Sequence, residues 1–268
     1  MKSLRLALAL AGLTALPATA QDSFELPVSA QVLPGWTQAD GTRVAALHLS
    51  LDPGWKTYWR APGDAGIPPS FDWKGSRNVE TVAVSWPTPI VFRENGMRSI
   101  GYAGELVIPL HMRTRDADAP VHVQLTMDLG ICSDICIPHR LTFDETLAPP
   151  DTRPTPAIAA ALAQSPFSAR EAGVTAATCR VQPTQDGLQI EARVTVPPAG
   201  GEEVMVIEPG LPDIWVSEPD TRRSGGELIA VSEMIHVDGG PIALDRSAVR
   251  LTVLGSEHAV DIRGCDRG

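Results

Sequence analysis

Beyond its first 20 residues, the chain runs in short stretches that alternate apolar and polar residues and break at Gly, Pro or Asp. Residues 43–51 (RVAALHLSL), 79–86, 105–112 and 121–129 have this period of two. A period of two places one face of a strand on a core and the other in water. The same texture returns over residues 188–196, 203–207, 227–237, 249–254 and 258–262. Such runs leave little room for helices, and they predict an all-β chain with a β-sandwich in each half.

The halves are separated by LAPPDTRPTP, residues 147–156, with four prolines between Pro149 and Pro156. Proline density of this kind makes a semi-rigid, extended connection. PAIAAALAQSPF follows, and residues 157–164 are the one convincing short helix after the N-terminal segment. The expected organisation is a leader over 1–20, a first domain over 21–148, a Pro-rich linker with its short helix over 149–171, and a second β-sandwich over 172–268.

The opening MKSLRLALALAGLTALPATA carries Lys2 and Arg5, an apolar run, and Ala18-Thr19-Ala20 at its end. A basic start, a short apolar stretch and an A-x-A ending mark a cleaved secretory signal. The run is shorter than the roughly 20 residues that span a bilayer. The expected location is therefore the periplasm. Losing this segment leaves 20 basic against 32 acidic residues, a formal charge of -12 in place of -10. That balance argues against nucleic acid and anionic membrane surfaces, which need basic patches.

Export makes disulfide chemistry the first reading of the four cysteines. Cys179 and Cys265 bracket the second half, and a bond between them would close about 87 residues, worth about 4.6 kcal/mol by loop-closure entropy. A structural disulfide fits that pair. Cys132 and Cys136, in LGICSDICIPHR (129–140), close only five residues, worth about 2 kcal/mol on the same scale. They make a poor staple. The strand before them is expected to end at Gly130, with both cysteines in the following turn and Pro138 barring regular pairing beyond it. His139 could lower a thiol pKa if protonated, and Asp134 would oppose it. The residues alone leave staple, metal clamp and redox switch open.

Four segments resemble a known family: DPGWKTYWRAPGDAGIPPSFDW (52–73), WPTPIVF (86–92), IGYAGELVIPL (100–110) and LGICSDICIP (129–138). Together, and in this order, they resemble the N-terminal periplasmic domain of DsbD-type thiol:disulfide interchange proteins, in particular the ScsB-like variant. The resemblance implies an immunoglobulin-like sandwich in which Cys132 and Cys136 are the redox pair. It also implies that a membrane-embedded partner reduces the pair, which then reduces periplasmic disulfide-containing clients through a mixed disulfide.

Tyr58 and Trp59 fall where the family has aromatic residues near its active site. The family covers its cysteines with a mobile cap loop bearing an aromatic residue. The matching region is FRENGMRSIGY, with Phe92, Met97 and Tyr102, and His139 completes the expected surroundings. Family members usually continue into membrane and thioredoxin-like domains that this sequence does not show. A separate membrane electron donor is therefore the expected partner, and no cofactor is expected.

Two other classes of function are compatible with the same residues. Thiolates and thioethers suit Cu(I), and the ScsB-like relatives are associated with copper tolerance. Cys132, Cys136, His139, Met97 and Met127 would be the ligands to consider. The remaining alternative is an inert exported β-sandwich adaptor, with the second domain serving as a docking platform.

Overall fold

The computed structural model describes residues 26–94, 96–148 and 153–268. The expected leader and its cleavage point at residue 20, together with residues 149–152 of the linker, lie outside the described residues. In chain order the first part contributes β1 (Val28–Thr37), β2 (Arg43–Leu51), β3 (Lys56–Tyr58), β4 (Ser70–Asp72), β5 (Thr81–Val84), β6 (Ile90–Glu94), β7 (Met97–Ala103), β8 (Glu105–Arg113), β9 (Val121–Cys132) and β10 (Cys136–Leu147). After α1 (Pro156–Ala163) come β11 (Phe167–Ser168), β12 (Ala176–Pro183), β13 (Leu188–Thr195), β14 (Val204–Glu208), β15 (Ile214–Val216), β16 (Asp220–Ser224), β17 (Glu227–His236), β18 (Arg250–Leu254), β19 (Ala259–Arg263) and β20 (Asp266–Arg267).

These strands form two immunoglobulin-like β-sandwiches, the all-β class that the alternation requires. In the first, a sheet of order β1-β2-β8-β5 faces one of order β10-β9-β3-β7-β6, with β4 added on β9. The apolar positions of β2, β8 and β9 (Leu47, Leu49, Ile108, Leu110, Leu125, Met127 and Leu129) are buried between them. In the second, β11-β19-β18-β14 faces β15-β17-β13-β12-β20, with β16 on β17. Its core holds Ile190, Val194, Met234, Leu251 and Val253. Pro156 opens α1 at the position where its missing N–H costs nothing, and Ile158 buries the helix against Trp36, Val44 and Ala46.

Cys179 is bonded to Cys265, tying β12 to the chain just before β20, which pairs with it in parallel. One local expectation is corrected. The strand expected to end at Gly130 continues to Cys132, and β10 starts at Cys136 rather than after Pro138. Pro138 pairs with Gly130 inside the ladder. Because β10 is the edge of its sheet, a residue lacking an N–H can face outward there at no cost to a neighbouring strand.

Candidate active site

The β9–β10 hairpin ends on its cysteines. Twelve Cα pairs run from Leu147↔Val121 to Cys136↔Cys132, and Ser133, Asp134 and Ile135 turn the chain. The Ser133 N–H donates to the Ile135 carbonyl at 2.9 Å. Cys132 and Cys136 are joined in a disulfide with Cα atoms 4.1 Å apart. The two sulfur-bearing residues differ sharply in exposure: Cys132 is fully buried, whereas Cys136 is exposed.

On the other side of β9 lies β3, which places Lys56 directly opposite Cys132. The sequence sets this strand up. In Asp52-Pro53-Gly54-Trp55 the Trp55 N–H donates to the Asp52 carbonyl at 3.0 Å, and Gly54 has φ +84°. Pro then Gly with positive φ is the signature of a type II turn, and β3 begins immediately after it. Tyr58, at the end of β3, reaches the cysteines. Its hydroxyl lies 3.0 Å from Cys132 Sγ, to which it donates, and 3.3 Å from Cys136 Sγ. The ring fits between two glycines: a Cβ at Gly66 would stand 2.9 Å from Tyr58 Cδ1, and one at Gly130 would stand 3.1 Å from Cδ2.

Around the disulfide is a cleft of about 720 Å³, lined by Trp55, Lys56, Tyr58, Met97 and Arg98 as well as both cysteines. Its far rim is the β6–β7 hairpin. From there Glu94 forms an ion pair with the Lys56 ammonium, which also sits 5.0 Å from the Phe92 ring centroid. Burial, and next the Glu94 charge, push the Tyr58 phenol above its ordinary pKa. It therefore stays a protonated donor over the range in which thiols ionise. Met97 lines this cleft and is an exposed apolar side chain, at 58%, as is Ile135 in the turn between the cysteines, at 62%.

The structure thus brings Cys132, Cys136, Tyr58 and Met97 together. Phe92 reaches the site only through Lys56. Trp59 is wholly buried in the sandwich core, and its indole N–H is the buried side-chain polar atom left without a partner among the described residues. Tyr102 is also a core residue. It stacks on Trp86 at 6.2 Å, donates to the Pro87 carbonyl at 2.7 Å, and is raised well above the ordinary phenol pKa by burial. His139 pairs with Leu129 on the edge strand, and Met127 packs in the core; neither lines the cleft.

Lys56, Glu94 and Arg98 were not singled out by the sequence reading. A lysine inside the aromatic run GWKTYW was the available signal for the first, since a charge there must either face a polar partner or disrupt the core.

Residues 23–148 match the family model described as "Thiol:disulfide interchange protein DsbD, N-terminal". Residues 23–148 are a DsbD-type N-terminal domain. The DsbD-type domain accounts for the first sandwich, and thiol–disulfide interchange is the chemistry of the family. No curated protein sequence matches the chain. Among solved structures, the crystal structure of the N-terminal periplasmic domain of ScsB from Proteus mirabilis is similar, with a TM-score of 0.65 at 23% identity. The likeness covers 89% of this chain and 94% of that one. The shared fold therefore extends past the DsbD-type domain into the second sandwich. No helix among the described residues is long and apolar enough to cross a membrane.

Proposed function

We propose that this protein is an exported, periplasmic thiol–disulfide exchange protein that passes electrons through Cys132 and Cys136. A separate membrane protein would supply the electrons, and a disulfide-containing periplasmic client would receive them. The observation that carries this reading is the unequal exposure of the two cysteines, with one phenol in reach of both sulfurs. A structural staple gains from having both sulfurs buried, whereas an exchange centre needs one sulfur open to a partner.

In the reduced protein the Cys136 thiolate attacks one sulfur of the client disulfide. A Cys136–client bond forms, and the other client sulfur leaves as a thiolate. Cys132 then loses its proton and attacks Cys136 Sγ, which releases the second client thiol and closes Cys132–Cys136. Two electrons have moved to the client, and a donor dithiol restores the pair by the reverse sequence. Tyr58 donates to the sulfur that carries charge at each step. Residues 21–148 are the redox domain in this scheme, 149–171 the connection, 172–268 the second domain, and 1–20 the removed export signal.

The test is the reduction potential of the Cys132–Cys136 pair, obtained by equilibration with graded thiol buffers and trapping of free thiols. A value between roughly -120 and -270 mV is expected, the span of catalytic dithiols. A potential below about -300 mV would mark the bond as structural and end this reading.

A further inference from the structure

The second sandwich holds both rims of the redox cleft. One rim is Ala65, at the far end of the segment after β3; the Arg60 end of that segment lines the neighbouring cleft between the sandwiches. There the Arg60 guanidinium makes two hydrogen bonds to Glu208 of β14, at 3.0 and 2.9 Å, and a third to the fully buried Thr252 of β18 at 3.3 Å. The Arg60 guanidinium sits over the Trp59 ring, 3.9 Å from its centroid, two residues from the Tyr58 that touches both sulfurs. Further along this segment, Asp64 accepts the Glu218 N–H at 3.4 Å, and the carbonyl of its neighbour Ala65 lies 3.4 Å from the Tyr58 hydroxyl.

The other rim is the β6–β7 hairpin. Arg93 pairs with Glu202, while Arg98, itself buried on the cleft side, pairs with Glu218 at 3.1 Å and donates to the Pro219 carbonyl at 3.2 Å. Val204, Val206, Leu254 and Ala259 continue the apolar core of the first sandwich into the second.

A domain carried only for docking has no use for a bidentate, largely buried ion pair beside the redox tyrosine. Burying such a pair costs desolvation and is repaid only by good geometry, and its clearest use is to fix one arrangement. We propose that the second sandwich is a clamp that sets the separation of the two cleft rims, with Glu208 and Glu218 as positioning residues for exchange at Cys132–Cys136. The inference rests on the exchange reading above.

The experiment compares full-length wild type with a Glu208→Gln/Glu218→Gln double variant. The readout is the rate at which dithiothreitol reduces the Cys132–Cys136 disulfide, well below the unfolding temperature. With the clamp loosened, the buried Cys132 side of the bond opens, and the rate is expected to rise at least about threefold, an effect of roughly 0.65 kcal/mol at RT ≈ 0.59 kcal/mol. Glu208→Asp/Glu218→Asp, which keeps both charges, is expected to stay near wild type. A folded Gln variant whose melting temperature drops while its reduction rate is unchanged or lower would overturn the proposal, because the pairs would then serve stability alone. If the double variant does not fold, Glu218→Gln alone carries the comparison, since that side chain is 37% exposed. Failure of the exchange reading shows separately, as a wild-type pair that does not equilibrate with thiol buffers.

Discussion

The Tyr58 hydroxyl lies 3.0 Å from Cys132 Sγ and 3.3 Å from Cys136 Sγ, so one phenol reaches both ends of the disulfide. A hydrogen bond to a charged group is worth about 1.5–3 kcal/mol. Tyr58→Phe removes it and keeps the ring between Gly66 and Gly130. Alkylation of the reduced protein by iodoacetamide at neutral pH should slow by about tenfold, since 1.4 kcal/mol is a factor of ten in the ionised fraction. An unchanged rate would reduce Tyr58 to a filler of the cleft.

Lys56 and Glu94 offer a test with opposite signs. Lys56 stands across the ladder from Cys132, and Glu94 partners it from the opposite rim. Lys56→Met leaves a lone carboxylate beside the cleft and should slow thiol alkylation severalfold. Glu94→Gln frees the ammonium to face the thiolate and should speed alkylation. Both effects should shrink as salt rises. Shifts in the same direction would show that the pair acts only through packing.

On the exchange reading, the exposure difference puts Cys136 first in the order of attack. Cys132→Ser leaves the open Cys136 without its resolving partner and should accumulate a mixed disulfide with clients, visible on non-reducing gels. Cys136→Ser should trap far less, because Cys132 is sealed. Equal trapping by the two variants would remove the assignment.

The bond between Cys179 and Cys265 closes a loop of sequence separation 86. Replacing both with Ser should lower stability by up to about 4.6 kcal/mol, read as a fall in the denaturant midpoint. At temperatures where the second sandwich remains folded, the Cys132–Cys136 potential should not move.

His111 predicts an acid sensitivity. Burial holds its imidazole below the ordinary value of 6.5, with Asp40 partly opposing. Its folded pKa is therefore lower than the unfolded one, and the unfolded chain takes up the proton first. Stability from this site is complete above about pH 6.5 and declines as pH falls through the lower folded value. His111→Gln should flatten that part of the stability profile, measured by urea unfolding between pH 7 and 5.

Much of this architecture was legible in the sequence because strand alternation and proline punctuation are local signals. β2 runs over the residues whose alternation marked it, and α1 is displaced by a single residue from its expected span. The β9–β10 hairpin was harder to read. Gly130 and Pro138 suggested an early end to pairing, but one is a cross-strand partner of the other on a sheet edge, where sheet position overrides propensity. The expected aromatic surroundings split: Tyr58 faces the sulfurs, while Trp59 points into the core, as neighbouring residues along an extended chain do. Arg60–Glu208 and Lys56–Glu94 join residues 148 and 38 positions apart. Nothing in a local pattern reports pairings at such separations.

Cys132 and Cys136 are the last rung of a twelve-rung ladder, so opening their bond leaves the other eleven pairs in place and frees only Ser133, Asp134 and Ile135. Closing so short a loop alters chain entropy by only about 2 kcal/mol. On the exchange reading, the pair would be a two-electron store whose casing is the same charged or discharged. Reducing the pair shifts the folding equilibrium by no more than that, and the poise of the pair is left to the few groups touching the sulfurs rather than to the frame that carries them.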